Sequence, residues 1–150
     1  MPTAHSKATA VWHGDLMKGS GEVSLASGVI KNQPVSWAAR TEREGKNASQ
    51  TSPEELIAGA LAACFEMGLS NGLGGNGTPP EELSTTATAT FEVGGGGVKI
   101  STIHLDLEGK VPGVSAAEFE RFAQEAKSSC PVAGALKGNV EITLSAKLTN

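Results

Sequence analysis

The feature that most constrains this fold is a long helix without a polar face. Ser52 and Glu55 form a capping-box pattern at the start of a helix predicted over Pro53–Asn71, which should stop in the glycine-rich segment Gly72–Gly77. The stretch Leu56–Phe65 is apolar on every side. A helix of this kind has to be enclosed. We therefore expect a sheet wrapped around it, or a partner chain packed against it.

Short strands are predicted on both sides of this helix. The alternating segments are Lys7–Trp12, Gly21–Leu25, Pro34–Thr41, Ser84–Val93, Val98–Leu107 (extending toward Lys110) and Val140–Leu148. The segment Glu42–Gln50 is polar and reads as a loop, and Gly94–Gly97 as a hairpin connection.

Two more helices are predicted before the last strand. Ser115 and Glu118 make a second capping box, which opens a helix over Ala116–Lys127. A short helix over Pro131–Leu136 follows and ends near Gly138. The order of elements predicts an α+β protein with mostly antiparallel sheet, and the length suits one domain, 1–150.

Charge and hydropathy exclude several classes of function. The net charge is −4 and no Lys/Arg cluster marks a surface for nucleic acid or an anionic membrane. The apolar run Leu56–Phe65 is too short to span a bilayer, and the N-terminus lacks the pattern of a signal peptide. We expect a cytoplasmic protein, in which cysteines are more often buried thiols or redox groups than structural disulfides.

The chain has two cysteines, and each has two interpretations. Cys64 lies late in the long helix, either as an apolar core residue or as a thiolate that needs a cation nearby. Cys130 precedes Pro131 at a helix start, where it either caps the helix or is acidified by free N–H groups and the helix dipole. Local physics alone nominates Cys130 as the more acidic thiol.

Two cysteine motifs resemble those of the osmotically inducible protein C and organic hydroperoxide resistance protein family (OsmC/Ohr). The first is Thr51–Ile57 (TSPEELI) followed by Ala62–Phe65 (AACF), and the second is Ala126-Lys127 followed by Cys130–Val132 (CPV). The OsmC branch in particular is indicated by Trp12–Asp15, Ser27–Val29 and Val111–Gly113.

The resemblance implies a fold, an activity and a set of site residues. The family forms intertwined homodimers with sheets wrapped around long central helices, and it reduces peroxides, organic hydroperoxides preferentially. Cys64 matches the peroxidatic cysteine, Cys130 the resolving cysteine and Glu54 the family's glutamate. The catalytic arginine, carried on an N-terminal strand or loop, falls on Arg40, with Arg43 as the alternative. Thr41 stands where the family usually has Phe or Tyr.

The mechanism implied by the resemblance needs no metal and no bound organic cofactor. Arg40 stabilises the Cys64 thiolate and Glu54 orients the guanidinium. The thiolate attacks the peroxide and becomes a sulfenic acid, which condenses with Cys130 to a disulfide. An external dithiol reductant then restores both thiols.

Helix geometry adds a prediction about how the site is assembled. Glu54 and Cys64 lie ten residues apart on one helix, which separates their Cα atoms by about 15 Å along the axis. A pair of Arg40 with Glu54 would have to span most of this distance to reach Cys64 of the same chain. We therefore expect a composite site at the dimer interface, with Cys64 and Cys130 from one chain and Arg40 and Glu54 from the other.

The neighbours of Cys64 along the helix are apolar, which favours an organic hydroperoxide over hydrogen peroxide. These neighbours are Ala60, Leu61, Ala63, Phe65 and Met67.

Other functions are less well supported by the sequence. Disulfide exchange usually employs a Cys-x-x-Cys motif, which the chain lacks, and His5, His13 and His104 have no metal-ligand spacing. The remaining alternative is a non-enzymatic, dimeric protein that binds a small ligand and whose cysteines are merely buried.

Overall fold

The computed structural model describes all 150 residues, which form two compact units, Met1–Pro53 and Glu54–Asn150. The first unit holds a three-stranded antiparallel sheet of β1 (Ala8–His13), β2 (Ser20–Leu25) and β3 (Gln33–Val35), in that order. The strands predicted at Lys7–Trp12 and Gly21–Leu25 are thereby confirmed.

The strand predicted over Pro34–Thr41 is wrong beyond Val35. The residues Trp37–Thr41 form a short helix, α1, because the hydroxyl of Ser36 accepts a hydrogen bond from the N–H of Ala39 at 3.1 Å and so caps its first turn. The following segment, expected to be a loop, contains a 3₁₀ helix at Gly45–Ser49.

The second unit packs two longer helices and a short one on a three-stranded sheet. The helices are α2 (Pro53–Gly75, which starts at the boundary between the units), α3 (Ala116–Ser129) and α4 (Pro131–Leu136). The strands are β4 (Glu82–Gly94), β5 (Gly97–Lys110) and β6 (Glu141–Leu148), in the order β4-β5-β6. The pair β4–β5 is antiparallel and β5–β6 is parallel, because α3 and α4 supply the crossover that parallel strands require.

The predicted capping box of α3 is confirmed in both directions. The hydroxyl of Ser115 accepts from the N–H of Glu118 at 3.2 Å, and the Glu118 carboxylate accepts from the N–H of Ser115 at 2.9 Å. The second of these bonds is the main reason that the pKa of Glu118 lies below its usual range.

Helix α2 continues past the point where the sequence predicts its end. It runs through Gly72 to Gly75, and the chain turns at Gly77, which has a φ of 80°. The N–H of Thr78 closes the helix by donating to the carbonyl of Leu73 at 3.0 Å.

Only one face of α2 is covered within the chain, so the expectation of a fully enclosed helix is not met by a single copy. The buried face is Ala58, Leu61, Phe65, Leu69 and Leu73, which recur at helical spacing. The residues left exposed around Cys64 include Gly59, Ala60, Ala63 and Met67, whereas toward the end of the helix the exposed Ser70 and Asn71 are polar.

The stretch Gly45–Gly75 is long and apolar enough to cross a membrane by length and composition, although the core helix of a soluble protein meets the same criteria. The run Leu56–Phe65 is too short to span a bilayer, but the longer stretch that contains it is not. Leu61, Phe65, Leu69 and Leu73 of this stretch belong to the core cluster of the second unit.

We predict that Gly109→Ala destabilises the second unit. A Cβ at this position of β5 would clash with the ring of Phe119, at 2.8 Å from Cε1, and would approach Leu83 at 3.2 Å. Phe119 is 1% exposed and has no room to yield. Such overpacking costs about 1–3 kcal/mol, measurable as a lower free energy of unfolding in urea.

The matched control is Gly94→Ala, where a Cβ meets no atom within 4 Å. Its free energy of unfolding should stay within about 0.5 kcal/mol of the wild type. Equal effects of the two substitutions would show that the contact of Phe119 with Gly109 does not restrict the side chain at position 109.

Candidate active site

The packing of α3 on α2 brings the two cysteines together. A Cβ on Gly72 would lie 3.5 Å from Cδ1 of Phe122, and a Cβ on Gly68 would lie 3.9 Å from the Cβ of Ala126. The two helices are therefore antiparallel, because the contact one turn earlier on α2 is made one turn later on α3. The next step of this antiparallel register pairs Cys64 with Cys130, whose side chains are in hydrogen-bond contact.

Cys130 occupies the junction of two helices. It is the C-cap residue of α3 and the N-cap residue of α4, with extended backbone angles (φ −64°, ψ 124°). Its sulfur accepts a hydrogen bond from the N–H of Ala133 at 3.5 Å. Pro131 at the first helical position has no N–H to place, as predicted for this helix start.

The pKa of Cys130 is raised above its ordinary value of 9.0, chiefly because the thiol is buried and secondly because it forms a hydrogen bond with Cys64. The backbone N–H groups of Ala133 and Val132 act in the opposite direction, but burial outweighs them. The local argument that made Cys130 the more acidic thiol is therefore wrong. The N–H groups of Ala133 and Val132 in a six-residue helix do not compensate for a side chain that is 3% exposed.

This arrangement assigns different chemical properties to the two thiols. Burial and the hydrogen bond with Cys64 both raise the pKa of Cys130, so Cys130 retains its proton at neutral pH. Both cysteines are reduced; Cys64 is half-buried and Cys130 is buried. A half-buried thiol in contact with a buried, protonated thiol is suited to attack on a substrate by Cys64, followed by disulfide formation with Cys130.

The two candidate arginines lie in the first unit. Arg40 is in the last turn of α1, with its guanidinium carbon 5.8 Å from the centre of the Trp37 ring. It is thus on a helix and not on the strand or loop that the resemblance implied. Arg43 donates through Nη1 to the carbonyls of Ala39 and Gln50, each at 2.9 Å, so it braces the backbone around α1.

Glu54 is in the first turn of α2 and only 5% exposed. A carboxylate buried to this extent requires a cation or hydrogen-bond donors. Glu54 belongs to the second unit with both cysteines, and Arg40 belongs to the first. Two predictions about the site remain: that the two cysteines, Arg40 and Glu54 converge on it, and that two chains form it.

His104 fits the interpretation of a packing residue on the sheet. Its Nδ1 lies 2.6 Å from the hydroxyl of Thr143, and its Nε2 lies 3.2 Å from the hydroxyl of Ser145 and 3.3 Å from Asp106. The hydroxyls come from β6 because the parallel register places Thr143 beside His104.

Sequence reasoning missed the residues that face each other beside the thiols. Gly68, one turn after Cys64, faces Ala126, one turn before Cys130. The signal was present as a matched four-residue spacing, from Cys64 to Gly68 and from Ala126 to Cys130.

Comparisons of the sequence and of the fold with known proteins all point to the same family. A family model described as OsmC-like protein matches residues 45–145, more than half of the chain. The chain is 43% identical over 146 residues to Peroxiredoxin OsmC of Escherichia coli, covering 97% of this chain and 98% of that protein. It is 31% identical over 105 residues to the organic hydroperoxide resistance protein OhrA of Bacillus subtilis, covering 69% and 72%. The fold is similar to the crystal structure of OhrB of Bacillus subtilis, with a TM-score of 0.74, 22% identity and coverage of 96% and 98%.

We predict that Cys130 remains mostly protonated at pH 9. The thiolate is the form that reacts with iodoacetamide, and a pKa above 9.0 leaves it the minor form at that pH. In a Cys64→Ala variant, the alkylation rate of Cys130 should still be rising with pH at pH 9, where that of an ordinary cysteine begins to level off. Mass spectrometry of the alkylated peptide gives the rate.

The control is the same variant denatured in urea, for which the rate should level off near pH 9. A folded-state profile that levels off earlier than the denatured one would restore the helix-start argument for an acidic Cys130.

Proposed function

We propose, since the chain belongs to the OsmC/Ohr family of cysteine-based peroxidases, that it reduces organic hydroperoxides, and hydrogen peroxide less well, through Cys64 and Cys130. The observation that carries the proposal is the contact between a half-buried Cys64 and a buried Cys130 that retains its proton. The names of the relatives, a peroxiredoxin and an organic hydroperoxide resistance protein, support the same reaction class.

The reaction proceeds in three balanced steps. The Cys64 thiolate attacks the distal oxygen of ROOH, the O–O bond breaks, and ROH leaves after protonation, so that Cys64 becomes a sulfenic acid. The Cys130 thiol then displaces water from the sulfenic acid and forms the Cys64–Cys130 disulfide. An external dithiol takes up the oxidation by becoming a disulfide itself, and both cysteines return to thiols.

Arg40 supplies the cation that the first step needs. A thiolate in an apolar site is disfavoured unless a positive charge lies close to it. Glu54 is a buried carboxylate of the kind that holds a guanidinium in one orientation. We assign Arg40 this role ahead of Arg43, because Arg40 stands where the OsmC-like pattern carries its arginine.

A homodimer would complete the surroundings of α2. Its exposed face carries Gly59, Ala60 and Ala63, whose small side chains allow a second helix to approach closely, and Met67, which adapts to an irregular surface. Burial of this face against a second copy would give the helix the full enclosure that its composition requires.

The exposed neighbours of Cys64 favour an organic substrate. Ala60, Ala63 and Met67 are exposed in the single chain, and in a homodimer they would line the apolar space beside Cys64 between the two copies. Leu61 and Phe65, which the sequence also placed near the thiol, are fully buried in the core and contribute no substrate contact. We propose that the protein works in the cytoplasm with no metal and no bound organic cofactor.

We predict that Cys64→Ser abolishes the consumption of cumene hydroperoxide in the presence of dithiothreitol, because a hydroxyl does not replace the thiolate. After one equivalent of the hydroperoxide, mass spectrometry should show a Cys64–Cys130 disulfide in the wild type. In Cys130→Ser it should show a sulfenic acid on Cys64, since the second step is then blocked.

The control is His104→Ala, which alters the polar face of the sheet and should consume peroxide at the wild-type rate. Full activity in Cys64→Ser would show that Cys64 is not the peroxidatic residue. Absence of peroxide consumption by the wild type would leave a ligand-binding protein with buried cysteines as the better description.

We predict that mixing two inactive variants restores activity if the site is shared between chains. Cys64→Ser and Arg40→Ala homodimers each lack one component in every site. In a heterodimer one site receives both wild-type residues, so random re-association should recover about a quarter of the wild-type rate.

The comparison is a mixture of Cys64→Ser with Cys64→Ala. That mixture should stay inactive, because no site regains Cys64. Failure of the first mixture, with heterodimers verified by native mass spectrometry, would indicate a site built within one chain.

A further inference from the structure

We propose that Cys130 is a redox-sensitive helix cap: formation of the Cys64–Cys130 disulfide removes the N-cap of α4, and the loosened helix opens the disulfide to the reductant. The place of that disulfide in turnover rests on the proposed function. The coupling of disulfide to helix does not, because it depends only on the positions of the two sulfurs and of α4.

The cap is made by the sulfur atom itself. The N–H of Ala133 donates to Cys130 Sγ at 3.5 Å, and the N–H of Val132 also bonds to this sulfur. These are the second and third residues of α4, after Pro131, and their N–H groups have no partner inside a helix. The Cys130 side chain therefore satisfies both free donors of the first turn.

Disulfide formation competes with this arrangement. A disulfide draws its two sulfurs to about 2.05 Å and fixes the torsion about the bond between them, whereas the reduced thiols share only a hydrogen bond. We expect Cys130 Sγ to make part of this approach by moving toward Cys64 on α2. Such a movement would lengthen its contact with the N–H of Ala133, which spans 3.5 Å in the reduced form.

Helix α4 is short, so the cap is a large share of what holds its first turn. It has six residues and includes Gly134; Ala133 is buried, and Val132 and Leu136 pack partly buried against the core. One backbone bond closes the turn, from the N–H of Gly134 to the carbonyl of Cys130 at 2.9 Å. Short helices are marginal without a cap or tertiary packing. Helix α3, with fourteen residues and an intact capping box, lacks this weakness.

The consequence concerns the last step of the cycle. Cys130 is 3% exposed, and the first turn of α4 directs its amides onto the sulfur. Attack on a disulfide requires a thiolate to reach one of its sulfurs. A first turn that frays only after oxidation would expose the disulfide and leave the reduced thiol protected.

The test is hydrogen exchange, measured by NMR at the amides of Ala133 and Gly134. The wild type is compared in the reduced form and after oxidation with diamide, which accepts two electrons and the two thiol protons as the disulfide forms. Loss of a cap should accelerate exchange at these amides on the order of tenfold. The amide of Phe119, which donates to the Ser115 carbonyl at 2.9 Å in the first turn of α3, should be unchanged.

Two substitutions separate the cap from the disulfide. Cys130→Ser retains a side-chain acceptor but forms no disulfide, so diamide should not alter its exchange. Cys130→Ala removes the acceptor, and its reduced form should exchange at the rate of the oxidised wild type.

Equal exchange at Ala133 and Gly134 in reduced and oxidised wild type would overturn the proposal, as would failure of diamide to form the disulfide. If the disulfide forms and α4 loosens while no peroxide is consumed, the cap mechanism stands and only the peroxidase assignment fails.

Discussion

The antiparallel contact of α2 with α3 is the constraint on which the thiol pair depends. Gly68 against Ala126 and Gly72 against the Phe122 ring fix the register, and the same register places Cys64 opposite Cys130. The packing of the two helices therefore also determines which residues lie opposite the two thiols. The buried residues that seat the two helices, among them Phe65 and Phe119, are as important for the thiol contact as the cysteines themselves.

The two cysteines differ because of burial rather than position in a helix. A helix start favours a thiolate through N–H groups and the dipole, an effect of typically 0.3–1 kcal/mol at an exposed site, while burial in an apolar site shifts a pKa by up to several units. At Cys130 burial prevails, and its pKa is raised. The same N–H groups then hold a neutral sulfur in place, so Cys130 caps α4 as well as contacting Cys64.

Local patterns in the sequence predicted local structure well. The capping box of Ser115, the start of α2 at Pro53 and the helix after Cys130 depend on neighbouring residues and were predicted correctly. The strand predicted over Pro34–Thr41 was wrong because the pattern of alternating residues does not reveal a helix cap. The hydroxyl of Ser36 caps a helix that begins at Trp37. The contact between the thiols was implied only by resemblance, since it results from the packing of two helices distant in sequence.

The matched spacing of the two helices has a consequence for how the family can vary in length. Inserting one residue into a helix rotates all later side chains by about 100° and shifts them by about 1.5 Å. An insertion between Cys64 and Gly72, or between Phe122 and Cys130, would therefore turn one thiol away from the other, whatever residue was added. These two segments can accept substitutions but not changes of length, which leaves the hairpin Gly94–Gly97 and the turn before Ser115 as the places where insertions and deletions can accumulate.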